Sequence, residues 1–139
     1  MIVKSGSAVW SGSLKEGKGS VSTESGALKD QPYGFAIRFE GKTGTNPEEL
    51  IGAAHASCFS MALSNILGQE GIVPEKIATT SKVTLDMTDG PKVTKVHLVT
   101  EISAPADADK ILECAEKAKA GCPISQLLNA EITMDAKVV

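Results

Sequence analysis

Two short segments carry cysteines where a thiol could do chemistry. The segment AHASCFSMAL, residues 54–63, places Cys58 among small and apolar residues, one helical turn after His55. The segment AGCPISQLL places Cys122 beside a proline at an expected helix start. Because a thiolate is both a nucleophile and a metal ligand, we interpret these two thiols as a pair that works together.

Other interpretations of the same residues stay open at this point. A buried cysteine commonly acts as a small apolar side chain, and we interpret Cys114, which lies mid-helix among lysines and glutamates, in this way. A zinc site would instead take His55, Cys58, His97 and Cys122 as four ligands. The spacing of these residues matches no zinc motif, and the chain contains no CxxC pair.

A reactive Cys58 would require a nearby cation. Apolar surroundings disfavour a thiolate, and the helix dipole acts only in the terminal turns of a helix. The segment FAIRFEG alternates, which predicts a strand with its aromatic residues on one face and Arg38 on the other. Arg38 is therefore the candidate cation, although a solvated surface arginine fits the same pattern. Cys122 would be stabilised by the free N–H groups of a helix start.

The elements that would position these residues indicate an α+β fold. The first 45 residues, including FAIRFEG, are predicted to form an antiparallel meander with QPYG as a turn. A long helix is predicted next, with Asn46 as N-cap, Pro47 in the first position and Glu49 completing a capping box. This helix is apolar nearly all round as far as Gly68 or Gly71, which is typical of a buried helix.

The second half of the chain predicts strands and two further helices. SKVTLDMT and VTKVHLVTEIS read as a hairpin, DADKILECAEKAKAG as an amphipathic helix, PISQLLN as a short helix capped by Cys122, and EITMDAKVV as a final strand. Strands grouped apart from helices favour antiparallel sheets. A length of 139 residues is typical of one domain, so we expect residues 1–139 to form a single domain.

Composition argues against several kinds of partner. The net charge of −3 and the absence of a basic patch argue against nucleic-acid binding. We expect no apolar run to approach the roughly 20 residues of a membrane span, and the N-terminal segment lacks the apolar core of a secretory signal. We therefore expect a cytoplasmic protein with no nucleic-acid partner and no membrane partner.

Four segments together resemble the OsmC branch of the OsmC/Ohr family, the osmotically inducible and organic-hydroperoxide-resistance proteins. They are GKGSVSTESG, YGFAIRFEG, GTNPEELIGAAHASCFSMAL and KAKAGCPISQLL followed by AEI. The resemblance runs nearly end to end. It implies an OsmC-like α+β fold with a long buried central helix and a second helix, assembled as an intertwined cytoplasmic homodimer.

The same resemblance implies a thiol peroxidase of the oxidative or osmotic stress response that reduces organic hydroperoxides to alcohols without metal, haem or flavin. Cys58 matches the family's reactive cysteine, and Cys122 matches its resolving cysteine. Arg38 matches the activating arginine, and we assign the family glutamate, which would hold the guanidinium, to Glu49. A sulfenic acid on Cys58 would give a Cys58–Cys122 disulfide, which a dithiol such as a dihydrolipoyl group would reduce.

Helix geometry adds an expectation about assembly. Glu49 and Cys58 are nine residues apart on one predicted helix, which corresponds to about 180° around its axis and ~13.5 Å along it. We therefore expect the site to lie between subunits, with Glu49 and Arg38 of one chain reaching Cys58 of the other. Candidates for an apolar wall that would favour alkyl or aryl hydroperoxides are Phe35, Phe39, Ile51 and Met61. The alternative is a non-catalytic small-ligand-binding or structural dimer, in which the cysteines only pack.

Overall fold

The computed structural model describes every residue from Met1 to Val139. The chain divides into two compact units, Met1–Leu50 and Ile51–Val139. It contains two three-stranded sheets and four helices, which confirms the predicted α+β class. The expectation of a single domain over residues 1–139 stays a prediction.

The first unit is built on an antiparallel meander, as predicted. Its strands are β1 (Gly6–Ser11), β2 (Lys18–Thr23) and β3 (Gln31–Tyr33), in that order in the sheet. The segment QPYG, predicted to be a turn, supplies β3. Trp10 of β1 packs near Tyr33 of β3 across β2, with ring centroids 5.5 Å apart. Gly19 lies under this pair, and a side chain there would collide with both rings.

The segment FAIRFEG forms a helix rather than the predicted strand. Helix α1 covers Phe35–Phe39, and the backbone N–H of Arg38 donates to the carbonyl of Gly34 at 2.9 Å. The two phenylalanines are four residues apart, so one helical turn brings their rings to a centroid distance of 5.0 Å. Five residues are too few for periodicity to separate a helix from a strand, because residues 35 and 39 share a face in both.

The long helix begins where the capping signals predicted. Helix α2 covers Pro47–Gln69, and the side-chain oxygen of Asn46 accepts a hydrogen bond from the backbone N–H of Glu49 at 2.8 Å. Only one stripe of this helix is buried within the chain: Gly52, His55, Phe59, Leu63 and Leu67. The remaining faces are more open, and Met61 is 77% exposed. The burial predicted for this helix is therefore confined to one stripe within the single chain.

The second unit contains a mixed sheet. Strand β4 (Lys76–Asp86) pairs antiparallel with β5 (Lys92–Ser103), and β6 (Glu131–Val138) pairs parallel with β5. The expectation of purely antiparallel sheets is therefore wrong for β6. Parallel neighbours require a crossover connection, which here contains α3 (Ala108–Gly121) and α4 (Pro123–Leu127).

The core of the second unit lies between this sheet and helices α2 and α3. Leu98 and Ile102 of β5 are fully buried there. The helices contribute Phe59, Leu63, Leu67, Ile111, Cys114, Ala115 and Ala118 to the same core. Cys114 is therefore a packing residue, as predicted. Gly52 marks a close approach of α2 to β4, since a Cβ atom there would lie 2.9 Å from the carbonyl oxygen of Ser81.

Helix α2 is the one helix whose length and composition would allow it to cross a membrane. Core helices of proteins that never enter a membrane meet the same criterion, so the observation does not by itself indicate a membrane span. It corrects the expectation that no apolar stretch approaches that length. The absence of a membrane partner and the cytoplasmic location stay predictions.

Candidate active site

Cys58 lies on α2, next to the buried stripe rather than within it. Its side chain is partly buried, and Phe59, the next residue, is fully buried. The thiol lines an open cleft of about 490 Å³. The cleft is formed by Met61, Ala62, Asn65 and Ile66 of α2 together with Gly121 and Pro123 at the α3–α4 junction. A small molecule entering this cleft would therefore reach the sulfur.

Cys122 is the N-cap of α4, as predicted. Its sulfur accepts a hydrogen bond from the backbone N–H of Ser125 at 3.3 Å and lies 3.1 Å from the hydroxyl oxygen of the same residue. Pro123 occupies the first helical position. The side chain of Cys122 is completely buried, whereas that of Cys58 is not.

The fold brings the two thiols together although they are 64 positions apart in the sequence. Burial raises the pKa of Cys58, and the Cys122 thiol raises it further through a hydrogen bond and charge repulsion, while the backbone N–H of Ile124 lowers it. No cation of the Ile51–Val139 unit is among these causes. Both cysteines are free thiols. Within this unit alone, Cys58 is therefore mainly protonated at neutral pH.

His55 is buried, and its ring lies between the hydroxyl groups of Ser125 and Ser81. Its Nε2 atom lies 2.8 Å from the hydroxyl oxygen of Ser125, and its Nδ1 atom lies 3.3 Å from that of Ser81. Burial lowers the pKa of His55. The sequence indicated that His55 neighbours Cys58 on the helix, but it did not reveal either serine. Ser125 could have been found as the third residue after the Cys122 cap, because the backbone N–H of that residue donates the capping hydrogen bond.

Arg38 pairs with Glu48, not with the predicted Glu49. Its Nη2 atom donates to Glu48 Oε1 at 2.7 Å, and its Nε atom donates to the same carboxylate at 3.2 and 3.3 Å. Adjacent residues point about 100° apart around a helix, so only one of the two glutamates can face the guanidinium. The backbone of Glu49 is bound to the Asn46 cap, and its side chain is exposed. The predicted Arg38–Glu49 pair is therefore wrong by one residue.

The Arg38–Glu48 pair is held firmly in its ionised form. Burial alone would raise the pKa of Glu48, but hydrogen bonds from Arg38 and from its own backbone N–H, with the attraction of the guanidinium, hold this pKa below its usual value. The guanidinium also lies over the Phe39 ring, 5.3 Å from its centroid. Arg38 lines an apolar cleft of about 300 Å³ with Trp10, Leu14, Tyr33, Phe35 and Phe39.

The zinc interpretation gains no support from the arrangement of its four residues. Both ring nitrogens of His97 are engaged on β6, with Nδ1 2.6 Å from the hydroxyl of Thr133 and Nε2 3.0 Å from Asp135 Oδ2. The structure contains no group of three or more His, Cys, Asp or Glu side chains arranged to hold a metal ion. His97 therefore does not complete a ligand set with the thiols and His55.

Comparison with known proteins gives consistent matches in sequence and in structure. The OsmC-like protein family profile matches residues 39–137. The chain is 59% identical over 136 residues to the peroxiredoxin OsmC of Escherichia coli K12, covering 96% of this chain and 95% of that protein. It is 29% identical over 122 residues to the organic hydroperoxide resistance protein OhrB of Bacillus subtilis, covering 86% and 89%.

Solved structures share the fold. The crystal structure of Bacillus subtilis OhrB matches with a TM-score of 0.71 at 27% identity, covering 96% of this chain and 98% of that one. An OsmC-like protein from Mycoplasma pneumoniae matches with a TM-score of 0.76 at 17% identity, covering 99% and 98%. The architecture is thus that of OsmC-like proteins. This chain belongs to the OsmC family, which confirms the resemblance drawn from its sequence.

Proposed function

We propose that this protein is a thiol peroxidase that reduces organic hydroperoxides to alcohols. The observation that carries the proposal is the pairing of two free thiols, one opening to a cleft and one buried beside it. The 59% identity to a peroxiredoxin and the similarity to an organic hydroperoxide resistance protein support a peroxide-detoxifying redox function. The roles of the individual site residues are part of the proposal.

The proposed reaction has two steps at sulfur. The Cys58 thiolate attacks the terminal peroxide oxygen, an S–O bond forms, the O–O bond breaks, and the departing alkoxide takes a proton to leave as the alcohol. Cys58 is then a sulfenic acid, the first and reversible stage of cysteine oxidation. Cys122 attacks its sulfur, the S–O bond breaks, and a disulfide and water form. A dithiol restores both thiols by exchange.

Ionisation of Cys58 requires a cation, because its own unit raises the pKa of this thiol. Arg38 supplies that cation in our proposal, and Glu48 takes the anchoring role that the sequence assigned to Glu49. An opposite charge within about 4–6 Å lowers a pKa by roughly 1–3 units. The Glu48 carboxylate holds the guanidinium by three hydrogen-bond contacts. The Arg38 side chain therefore has little rotational freedom left to lose when substrate binds.

A second copy of the chain would bring these parts together. Glu48 and Cys58 are ten residues apart on α2, about 80° apart around the axis and ~15 Å along it, so they do not share one face of this helix. We propose an intertwined homodimer in which Arg38 and Glu48 of one subunit act on Cys58 of the other. The 77% exposure of Met61, beside the Cys58 cleft, supports a partner surface at this point.

An apolar substrate fits the residues around Arg38. The cleft of about 300 Å³ beside the guanidinium is lined mostly by aromatic and aliphatic side chains. Burying an alkyl or aryl group gains roughly 0.8 kcal/mol per CH₂, which hydrogen peroxide cannot contribute. Organic hydroperoxides are therefore the proposed substrates, and a small or protein-bound dithiol, such as a dihydrolipoyl group, is the proposed reductant.

One titration tests the proposal against the non-catalytic alternative. Free thiols are counted before and after one equivalent of cumene hydroperoxide, and cumyl alcohol is measured in the same sample. The peroxidase loses two thiols per chain and releases one alcohol, leaving Cys114 free. A small-ligand-binding or structural dimer would keep all three thiols and leave the hydroperoxide intact.

A further inference from the structure

An unbroken hydrogen-bonded chain leads from the resolving thiol to a buried histidine. The sulfur of Cys122 lies 3.1 Å from the Ser125 hydroxyl oxygen, which lies 2.8 Å from Nε2 of His55. Cys122 and His55 are completely buried, and Ser125 is 6% exposed. These three side chains come from the start of α4 and from the middle of α2, so the fold has to bring them together. The thiol chemistry proposed above does not by itself require the histidine.

The donors and acceptors of this chain can be assigned from the groups present. When Nδ1 of His55 donates to the Ser81 hydroxyl, Nε2 is an acceptor and receives the Ser125 O–H. The Ser125 oxygen then accepts from the Cys122 S–H. Burial lowers the pKa of His55 and keeps the ring neutral, as an acceptor must be. Moving one proton along each link gives a Cys122 thiolate that receives the Ser125 O–H, with a protonated His55.

We propose that His55, acting through Ser125, accepts the Cys122 proton when Cys122 attacks the Cys58 sulfenic acid. This inference rests on the peroxidase function proposed above. Because the Cys122 sulfur has no solvent-accessible surface, water cannot take its proton directly. Ser125 is the only hydroxyl bonded to that sulfur, and His55 is the base at the far end of the chain. His55 is thus a positioning residue for the resolving step rather than for the attack on peroxide.

The step balances without any further reactant. The Cys122 proton moves to the Ser125 oxygen as the Ser125 proton moves to Nε2 of His55. The electron pair left on Cys122 forms the S–S bond, and the S–O bond of the sulfenic acid breaks. The departing hydroxide takes up one proton from solvent, and His55 returns one proton to solvent through the partly exposed Ser81 hydroxyl that its Nδ1 atom contacts. The sum is one thiol and one sulfenic acid giving one disulfide and one water.

Single-turnover kinetics test this role by separating the two steps. Reduced enzyme is mixed with one equivalent of cumene hydroperoxide; alcohol release reports the first step, and the loss of two mass units reports the disulfide. In Ser125→Ala and His55→Gln, we expect alcohol release at the wild-type rate and disulfide formation slowed roughly tenfold to a hundredfold, as for loss of general-base assistance. Dimedone added during the reaction should trap more Cys58 sulfenic acid in both variants.

Two controls come from the same chain. His97→Gln removes the other histidine, and Ser60→Ala removes a serine of α2 that bonds Thr79 rather than Ser125. Both controls should match wild type in both steps. Glutamine can keep a hydrogen bond to Ser125 but cannot accept a proton, so His55→Gln separates proton transfer from packing. Thermal unfolding checks that each variant is folded. If His55→Gln does not fold, the single-turnover kinetics of Ser125→Ala alone test the inference.

Several results would overturn the inference. Wild-type disulfide rates in folded Ser125→Ala would overturn it, and so would equal slowing of both steps, which indicates a structural role. These results differ from failure of the proposed function itself. In that case the wild-type protein would release no alcohol and form no disulfide, whatever the variants do.

Discussion

Arg38 and Glu48 form a multiply hydrogen-bonded ion pair that joins the short helix α1 to the first turn of α2, with a shortest N···O distance of 2.7 Å. Glu49, the next residue, points elsewhere and is exposed. Two chemically identical side chains thus differ in what they contact. The pair offers a guanidinium held at a fixed position beside an apolar cleft.

The two glutamates give a matched pair of variants. In Glu48→Gln the guanidinium loses its charged partner, and since hydrogen bonds to charged groups contribute about 1.5–3 kcal/mol, we expect roughly a tenfold loss of peroxidase rate. Glu49→Gln should stay within about twofold of wild type, as expected for an exposed side chain. Steady-state consumption of cumene hydroperoxide with a dithiol donor measures both. A large loss in Glu49→Gln alone would favour the assignment made from the sequence.

The three cysteines should behave differently on substitution. Cys58→Ser is expected to abolish peroxide reduction, because no nucleophile remains at the cleft. Cys122→Ser should complete one turnover and stop at a sulfenic acid, which dimedone traps and mass spectrometry locates on Cys58. Cys114→Ala, a substitution in the core, should keep full turnover in whatever fraction is folded. A persistent two-thiol loss in Cys122→Ser would assign the resolving role to Cys114 instead.

Loss of the guanidinium should be visible as slower thiol alkylation. Burial and the Cys122 thiol raise the pKa of Cys58, and the proposed site opposes them with Arg38. In Arg38→Met the thiolate fraction at neutral pH should fall, and alkylation by iodoacetamide should slow about tenfold or more. Its pH profile should move to higher pH. Lys42→Met, which removes an exposed cation near α1, is the matched control, and an unchanged rate in Arg38→Met would remove Arg38 from the mechanism.

Subunit mixing tests whether the site forms between chains. Arg38→Met and Cys58→Ser are each expected to be inactive as homodimers. If they are unfolded together and refolded at equal amounts, half of the dimers are mixed, and each mixed dimer has one intact site in trans. We therefore expect about one quarter of the wild-type activity to return. If Arg38 acted on Cys58 of its own chain, the mixture would stay inactive.

The buried histidine predicts how stability depends on pH. Burial lowers the pKa of His55 below its usual 6.5, so the unfolded chain binds a proton that the folded chain does not. The free energy of unfolding should therefore fall as pH decreases below about 6.5, by at most about 1.4 kcal/mol per pH unit. Denaturant unfolding between pH 5 and 7.5 measures this slope.

The His55→Gln variant tests whether His55 causes that slope, and the Glu48 carboxylate contributes only at lower pH. His55→Gln should lose the contribution of His55, whereas His97→Gln keeps His55 and should retain it. Glu48 acts in a lower range, because its pKa is held below 4.5 by Arg38 despite burial. Its contribution is present above that value and is lost as pH falls through the lowered pKa. Equal slopes in wild type and His55→Gln would indicate that His55 is not buried in neutral form.

Features controlled by neighbouring residues could be predicted from the sequence. Asn46 and Pro47 correctly predicted the start of α2, and Cys122 with Pro123 correctly predicted the start of α4. Both predictions were possible because capping depends on residues within one turn. The two cysteines that the fold brings together were also singled out, first from their positions in the sequence and then from the family resemblance. The chemical type of a single residue and the capping signals within one helical turn can be recognised without knowledge of the tertiary structure.

Features controlled by contacts between distant parts of the chain could not be predicted from the sequence. Phe35 and Phe39 share a face in a strand and in a helix, so the pattern could not decide between them. The choice between Glu48 and Glu49 depends on where α1 ends relative to α2. Ser81 and Ser125 are ordinary serines in the sequence and become partners of His55 only through packing.

The parallel pairing of β6 with β5 has a consequence for the folding chain. Lys95 pairs with Glu131, so this contact closes across the whole crossover that carries Cys122, and β6 follows Cys122 in the sequence. Non-local pairings of this kind form late because a long loop must close first. During biosynthesis, Cys58 is therefore complete on its helix before the thiol that rescues it is anchored. In the proposed reaction, capture of an oxidised Cys58 therefore depends on a contact that only the completed sheet holds in place.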